Sequence, residues 1–411
     1  MIPAASLLRW PTVRLGEVAQ VAGGIQKSPD RSPSNLHRPY VTVRNVQRGW
    51  LDLSHVERFE VTEAEIERLR LRTDDLLIVE GNGSLDQVGR SALFQHPNDG
   101  QEWIHQNHVI RVRLDANVIL PAFAALFLRS PAGAAQLLER ARTTSGLYTL
   151  SVGKVESLLV PKPDRGMQQE IVKRLSSQRA VVERARAAAE VQLEAARRLR
   201  AAYLNGTFGR EGGRWPVKTL RDVCKAHGQY GLSEKSNSGG PGIPILGMAN
   251  LGEGRIRSEA TGVVQLSDGE IDKYRLEDGD VLFNRTNSAE LVGKTAVFKG
   301  RRQAVFASYL IRFRIDSEQA EPEFISAYIN SNDGRDFIRR NMARAIGQVN
   351  ISASAMHRMP TPMPPLIEQA RLVKVLNARL EVVNQMEQTI RAQLNALEAL
   401  PAALLRLAFA G

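Results

Sequence analysis

The sequence predicts an α+β protein built twice: two strand-rich globular heads in tandem, each followed by a long helix. Three observations carry this. Segments recur about 200 residues apart, short apolar runs bounded by Gly, Pro, Asn and Asp fill the first part of each repeat, and a long stretch without Pro or Gly closes it.

The repeat appears by subtraction. Trp10-Pro11 returns as Trp215-Pro216, an offset of 205, and Asp75 returns as Asp280 at the same offset. Gly89 and Gly293 differ by 204, and Phe208 and Phe409 by 201. This small drift marks short insertions or deletions in loops. The predicted order is a head at 1–163, a helix at 164–209, a second head at 210–365 and a second helix at 366–411.

Within the heads, RPYVTVRNV, DDLLIVEGN and HVIRVRLD read as strands, and GIPILGMANL, DGDVLFN and YLIRFRID are their partners in the second copy. Short helices fit 121–141 and 322–344. One device recurs with its frame kept and its turn changed: DDLLIVEGNGSLDQVGRSALF in the first head and DGDVLFNRTNSAELVGKTAVF in the second.

The long helices are predicted over Met167–Asn205 and Leu366–Leu400, with Pro before the first and Gly206 behind it, and Pro401 closing the second. Apolar residues are spaced alternately by four and three: Ile171, Leu175, Val182, Ala185, Ala189, Ala196, Leu199 and Tyr203, then Leu372, Leu376, Val383, Met386, Ile390, Leu397, Leu400 and Leu404. That spacing is a coiled-coil seam. Gln178, Gln192, Arg379 and Gln393 fall on it as polar register-setting positions. About 37 helical residues span roughly 55 Å, more than a 150-residue head can cover, so the two helices are expected to pack on each other.

Composition narrows the function. Lys plus Arg is 55 and Asp plus Glu is 44, a formal charge of +11, which points to a polyanionic partner. A single cysteine, Cys224, excludes a disulfide framework and fits a reducing cytosol. The N-terminal stretch lacks the pattern of a signal peptide. The longest apolar run, around VILPAFAALFL, is too short to span a bilayer. A soluble, cytoplasmic protein with no membrane partner is expected.

Catalytic constellations are missing. GKT at 293–295 lacks the glycine of a phosphate loop, because Ser288 stands there. GNGSLD lacks the third glycine of a dinucleotide fingerprint. The seven histidines have no metal-ligand spacing, and His105 and His108 read as structural. There is no Asn-Pro-Pro-Tyr or Asp-Pro-Pro-Tyr tetrapeptide of an amino-methyltransferase, and no nuclease-type acidic cluster. The chain is expected to be non-enzymatic and to bind no metal or cofactor itself.

Two globular heads on paired helices can act as a ruler, and DNA is an object with axial repeats. Base edges are read by Arg, Lys, Asn and Gln, and phosphates are held by Lys, Arg, Ser and Thr. Such residues sit where the two frames diverge. The first head offers Gln26, Lys27, Arg44, Asn45, Asn82, Ser84, Gln87 and Arg90, then Arg142, Tyr148 and Lys154 in a later loop. The second offers Lys235, Asn250, Asn284, Arg285, Thr286, Asn287 and Lys294, then Arg344, Gln348 and Asn350.

At this point the chain resembles the specificity (S) subunit of type I restriction-modification systems. The segments that carry the likeness are RWPTVRLGEVAQ and RWPVKTLRDVCK, the repeated device, GQVNISASAMHRMPTPMPPLIEQARLV and the LRLAFAG ending. The first half is looser, with SGLYTLSVGKVESLLVPKPDRGMQQEIV and LNGTFG. The resemblance implies that each head is a target recognition domain for one half of an asymmetric bipartite site on double-stranded DNA. It implies that the helices form an antiparallel coiled coil, with Ile171, Leu175, Val182, Leu199, Leu372, Leu376, Val383, Ile390 and Leu397 on the seam, and that this coiled coil sets the gap. It also implies partners: methyltransferase (M) subunits, a pair of them, using S-adenosylmethionine, and restriction (R) subunits using ATP and Mg. Two alternatives are a recognition subunit of another phage-defence methyltransferase assembly and a protein-only coiled-coil scaffold.

Overall fold

A computed structural model describes residues 10–26, 36–81, 87–141, 148–209, 215–234, 237, 240–252, 254–256, 262–300, 303–345 and 348–410. The chain divides into two compact units. The first comprises residues 1–189 and 393–411, and the second comprises residues 190–392. Each unit therefore holds one head, part of its own following helix and part of the other copy's helix.

In the first unit an antiparallel sheet runs in the order Ala19–Ala22, Val109–Leu114, Leu76–Val79, Ser91–Leu93. Leu76 pairs with Val112 and Val79 with Val109. The strand Leu76–Val79 is apolar throughout because both its faces are covered. Leu76 and Ile78 face the main core with Ile110, Val112, Phe123 and Phe127. Leu77 and Val79 face a second cluster with Val41, Phe94 and Trp103. A three-stranded sheet places His37–Val41 between Glu57–Glu60 and Ile104–His105, the last pairing parallel. Thr12–Arg14 pairs with Leu159–Pro161 and ties the Trp-Pro segment to the start of the first long helix.

The second unit repeats this plan. Its four-stranded sheet has the order Gln229–Tyr230, Leu310–Phe313, Val281–Asn284, Thr295–Val297. Val281 and Phe283 face one cluster, with Ile311, Phe313 and Phe324. Leu282 and Leu310 face another, with Phe298 and Phe306. It also has a sheet of Thr286–Asn287, Gln348–Asn350 and Ala343–Ala345.

The repeated device has a physical reason at both ends. Asp75 is buried at the strand entry, takes the Arg72 N–H at 2.7 Å and is held by Arg113 at 2.8 and 2.7 Å. Asp280 takes the Glu277 N–H at 2.9 Å and the Arg314 Nε at 3.3 Å. Beyond the turn, Gly89 and Gly293 adopt φ of 70° and 84°, a conformation that favours glycine. A Cβ on Gly293 would lie 2.6 Å from Ile338, and one on Gly89 would lie 3.2 Å from Leu137, so the turn packs against the same short helix in each head.

The first long helix is Arg165–Gly209 and the second is Leu366–Phe409. Both run past the Gly206 and Pro401 stop signals but stay within the segments 164–209 and 366–411 expected for them. Gly206 does not stop the first, because Phe208 beyond it is buried against Phe324 and Tyr328, ring centres 5.3 Å from each. Pro401 does not stop the second, because Leu405, Ala408 and Phe409 beyond it fill the first head's core. Phe409 sits 5.4 Å from Phe123 and 5.5 Å from Phe127. Burial at the packed end outweighs the lost hydrogen bond of a helical proline, a cost of about 3 kcal/mol.

The start of each long helix is stapled by a buried glutamine. Gln168 accepts from the Leu120 N–H at 2.8 Å and donates to Val118 and Pro163 carbonyls at 3.1 Å. Gln369 accepts from the Glu321 N–H at 2.9 Å and donates to Pro364 at 2.8 Å.

The helices run antiparallel within each unit. In the first, Ile171 and Leu175 share a core with Leu405 and Ala408. In the second, Leu204 meets Leu376 and Leu380. Ile171, Leu175, Val182, Leu376, Val383 and Ile390 are buried as expected, and Leu397 is half-buried.

Several expected seam positions need correction. After Ala196 the buried series steps by four, through Arg200, Leu204 and Phe208, so Leu199 is only half-buried. In the second helix every other seam position lies one residue later than read: Leu380, Glu387, Leu394 and Pro401 replace Arg379, Met386, Gln393 and Leu400. Leu372 is half-buried against the head rather than on the seam. Of the polar residues expected on the seam, Gln192, Arg379 and Gln393 are exposed and Gln178 is half-buried. A straight helix drifts against a strict heptad, and polar side chains at true seam positions hid the frame. Arg200 is such a residue: it is buried and bonds Glu387 Oε1 at 3.4 Å and the Asn384 side chain.

Candidate nucleic-acid interface

Each device strand delivers the chain to the same corner. In the first head the Glu80 N–H donates to the His108 carbonyl at 3.0 Å, and the Leu150 N–H donates to Glu80 at 2.8 Å. In the second, the Arg285 N–H donates to Tyr309 at 3.0 Å, and the Ile351 N–H donates to Arg285 at 2.9 Å. A neighbouring segment closes in on main chain alone. A Cβ on Gly24 would fall 2.2 Å from the His105 carbonyl, and one on Gly231 2.3 Å from that of Phe306. These main-chain bonds are the same in both heads and the side chains are not.

In the second head the Arg285 guanidinium lies over the Tyr230 ring, 4.9 Å from its centre. The Tyr230 hydroxyl accepts from the Ala353 N–H at 3.0 Å, which fixes the ring. Strand pairing sets Thr286 opposite Asn350 and Asn287 opposite Val349. The structure thus gathers Arg285, Thr286, Asn287, Gln348 and Asn350, with Gln348 exposed and the others half-buried. Arg344 joins the same sheet through its main chain, opposite Val349. In the first head Gly23 takes the place of Tyr230 and opens space, and Glu80 Oε2 meets His108 Nδ1 at 2.8 Å.

Other expected site residues go elsewhere. Asn45 is buried: its Oδ1 accepts from the Thr42 N–H and hydroxyl at 2.8 and 2.9 Å, and its Nδ2 donates to Asp52 and His55 at 2.8 and 2.9 Å. Asn250, at the equivalent place, is fully buried and accepts from the Gly247 N–H at 2.8 Å. These two side chains are buried and brace their own loops. Asn284 is also buried, its Nδ2 reaching Leu291 at 3.4 Å. Arg90 donates to the Val43 carbonyl at 2.8 Å and to Gln47 at 3.3 Å, and burial pulls its guanidinium below the usual arginine range. Lys154 donates to the Thr149 carbonyl at 2.9 Å. Tyr148 is half-buried against the main core.

Gln26 and Arg44 are exposed, and Gln87 is half-buried. Lys294 lines a cavity of about 180 Å³ in the second unit with Arg197, Arg200, Asn205 and Arg335. Lys27, Asn82, Ser84, Arg142 and Lys235 lie outside the described residues.

Sequence reasoning missed Glu80, His108, Tyr230 and Tyr309. His108, read as structural, has a side chain 53% exposed and bonded to Glu80 at 2.8 Å. Tyr309, its counterpart, is 50% exposed, and Tyr230 is 41% exposed. The 205 offset puts Glu80 under Arg285 in the sequence, but a carboxylate is not among the side chains that commonly hold phosphates or read guanine and adenine. His105, by contrast, is structural. It is fully buried with Nδ1 2.7 Å from the Val109 carbonyl, and burial pulls its pKa down to about 4. Among the described residues no His, Cys, Asp and Glu group is placed to hold a metal ion. No helix among them is long and apolar enough to cross a membrane.

Two heads of one frame with different corners, each followed by a long helix that pairs antiparallel with the other copy's, define a class of duplicated two-headed scaffold. Residues 213–396 match the model of the type I restriction modification DNA specificity domain. The chain is similar to the type I restriction enzyme EcoKI specificity subunit of Escherichia coli, with 24% identity across 98% of this chain and 89% of that one. It is similar to the StySPI specificity subunit of Salmonella potsdam at 23% over the same shares. Among solved structures, a chain from work on complex assembly and conformational transition of the type I R-M system shares the fold at a TM-score of 0.70. It has 20% identity over 98% of both chains. The HsdS subunit from Thermoanaerobacter tengcongensis does so at 0.56, with 20% identity over 98% of this chain and 97% of that one. The chain has the build of a type I restriction-modification specificity subunit.

Proposed function

We propose that this chain is the non-catalytic DNA-reading subunit of a type I restriction-modification complex. Each head binds one half of an asymmetric, bipartite site on double-stranded DNA, and the paired helices set the gap. The observation that carries this reading is the shared corner with unlike side chains. One backbone built twice and dressed differently is what two unequal half-sites require. Methyltransferase subunits, a pair of them, and restriction subunits are the proposed partners. S-adenosylmethionine, ATP and Mg belong to those partners, and this chain binds no cofactor in the scheme. The setting is the cytoplasm.

The test is co-expression with the cognate methyltransferase in an unmethylated host, followed by genome-wide mapping of methyladenine. A bipartite motif with a fixed gap, present only when both chains are expressed, is the expected result. An assembled complex that marks no motif would sink the reading and bring the protein-only scaffold forward.

A further inference from the structure

Within that DNA-reading role, we propose that the corner position held by Glu80 in the first head and Arg285 in the second is a base-reading position in each. Its charge sets which base each half-site carries there. The main-chain bonds at this corner match to within 0.1 Å in the two heads: 3.0 and 3.0 Å for one pair, 2.8 and 2.9 Å for the other. A side chain kept only to hold that backbone would meet the same demands twice. Instead the position carries an acid in one head and a base in the other.

Each side chain also has its own support. His108 lies 2.8 Å from Glu80, and Tyr230 underlies Arg285 at 4.9 Å. Arg285 Nε is buried with no hydrogen-bond partner in the described structure, so the group is not consumed by the scaffold on that edge. A guanidinium stacked on a ring keeps its plane and presents a fork of donors. That fork matches the N7 and O6 acceptors of guanine. A carboxylate accepts only, which selects an exocyclic amino group, N4 of cytosine or N6 of adenine. The second half-site is therefore assigned a guanine at this contact, and the first a cytosine or adenine.

The test uses the full chain purified with its methyltransferase partner. A duplex pool with a randomised centre gives the selected site, and binding is then measured on that site and on each single base-pair change. The wild-type complex is expected to lose about tenfold to a hundredfold at a G·C pair in one half-site when that pair is changed. Arg285→Ala should erase this discrimination and leave the other half-site as sharp as before. Glu80→Ala should erase discrimination at one pair of the opposite half-site, and Glu80→Arg should turn the preference there to guanine.

Arg285→Lys keeps the charge without the planar fork and should lose discrimination while keeping the salt dependence. Variants that discriminate at every pair as the wild type does would overturn the proposal while leaving the two-headed reading intact. Loss of all binding in both Arg285 variants, with the complex still assembled, would assign Arg285 to holding the duplex and overturn its reading role. A wild-type complex that discriminates nowhere would instead remove the DNA-reading role itself.

Discussion

Side-chain type and side-chain use separate at the level of single residues. Asn45 and Asn350 have the same chemistry, yet Asn45 spends its amide on four bonds that close its own loop, and Asn350 sits half-buried on the small sheet at the corner. Asn45→Ala should cost the first unit about 2–3 kcal/mol, because it leaves buried partners unmade. The check is chemical denaturation, and an effect below half a kcal/mol would contradict this. His105 gives the pH dependence. Its folded pKa of about 4 lies below the ordinary 6.5, so between these values the unfolded chain binds more protons. Stability therefore falls as pH drops from about 6.5 to about 4, by up to the order of 3 kcal/mol. His105→Gln should flatten that limb of a stability-versus-pH curve.

Secondary elements are defined here by what their ends bury. Each long helix is pinned at its start by a glutamine and at its end by a phenylalanine, and the phenylalanine packs on the other copy's head. Phe409→Ala removes a fully packed ring from the cluster of Phe123 and Phe127 and should lower the first unit's stability by about 3–5 kcal/mol. Two-probe unfolding would show this as a loss in the first unit with the second unchanged. The Arg200–Glu387 contact adds little net energy, since a buried ion pair gains little over apolar packing.

For the whole molecule, the units and the repeats do not coincide. Repeat one ends at residue 209, but Leu204 and Phe208 belong to the second unit's cores. Exchanging residues 1–163 for another head should therefore change one half-site only. Exchanging 1–209 should change the same half-site and also weaken the second unit. Methyladenine mapping and thermal unfolding of the two chimaeras separate these outcomes. DNA affinity of the complex should fall steeply with salt, by about a thousandfold or more between 50 and 200 mM if six or more phosphates are neutralised. A flat response would speak for a protein-only scaffold.

The sequence by itself determined the duplication, the strands of each device, the paired short helices and the long helices, because period-2 and heptad patterns are local properties of the chain. Asp75, Gly89 and their copies were legible as repeat markers, and the structure adds that the acid is buried and the glycine turn left-handed. The tertiary structure alone decided where the helices end, which frame of the second helix faces its partner, and which polar residues remain available at the surface. Helix ends are settled by distant burial, as at Phe208 and Phe409. Availability is settled by neighbours far along the chain, as where the Val43 carbonyl takes up Arg90, or where Tyr230 and His108 frame a corner that carries Arg285 in one head and Glu80 in the other.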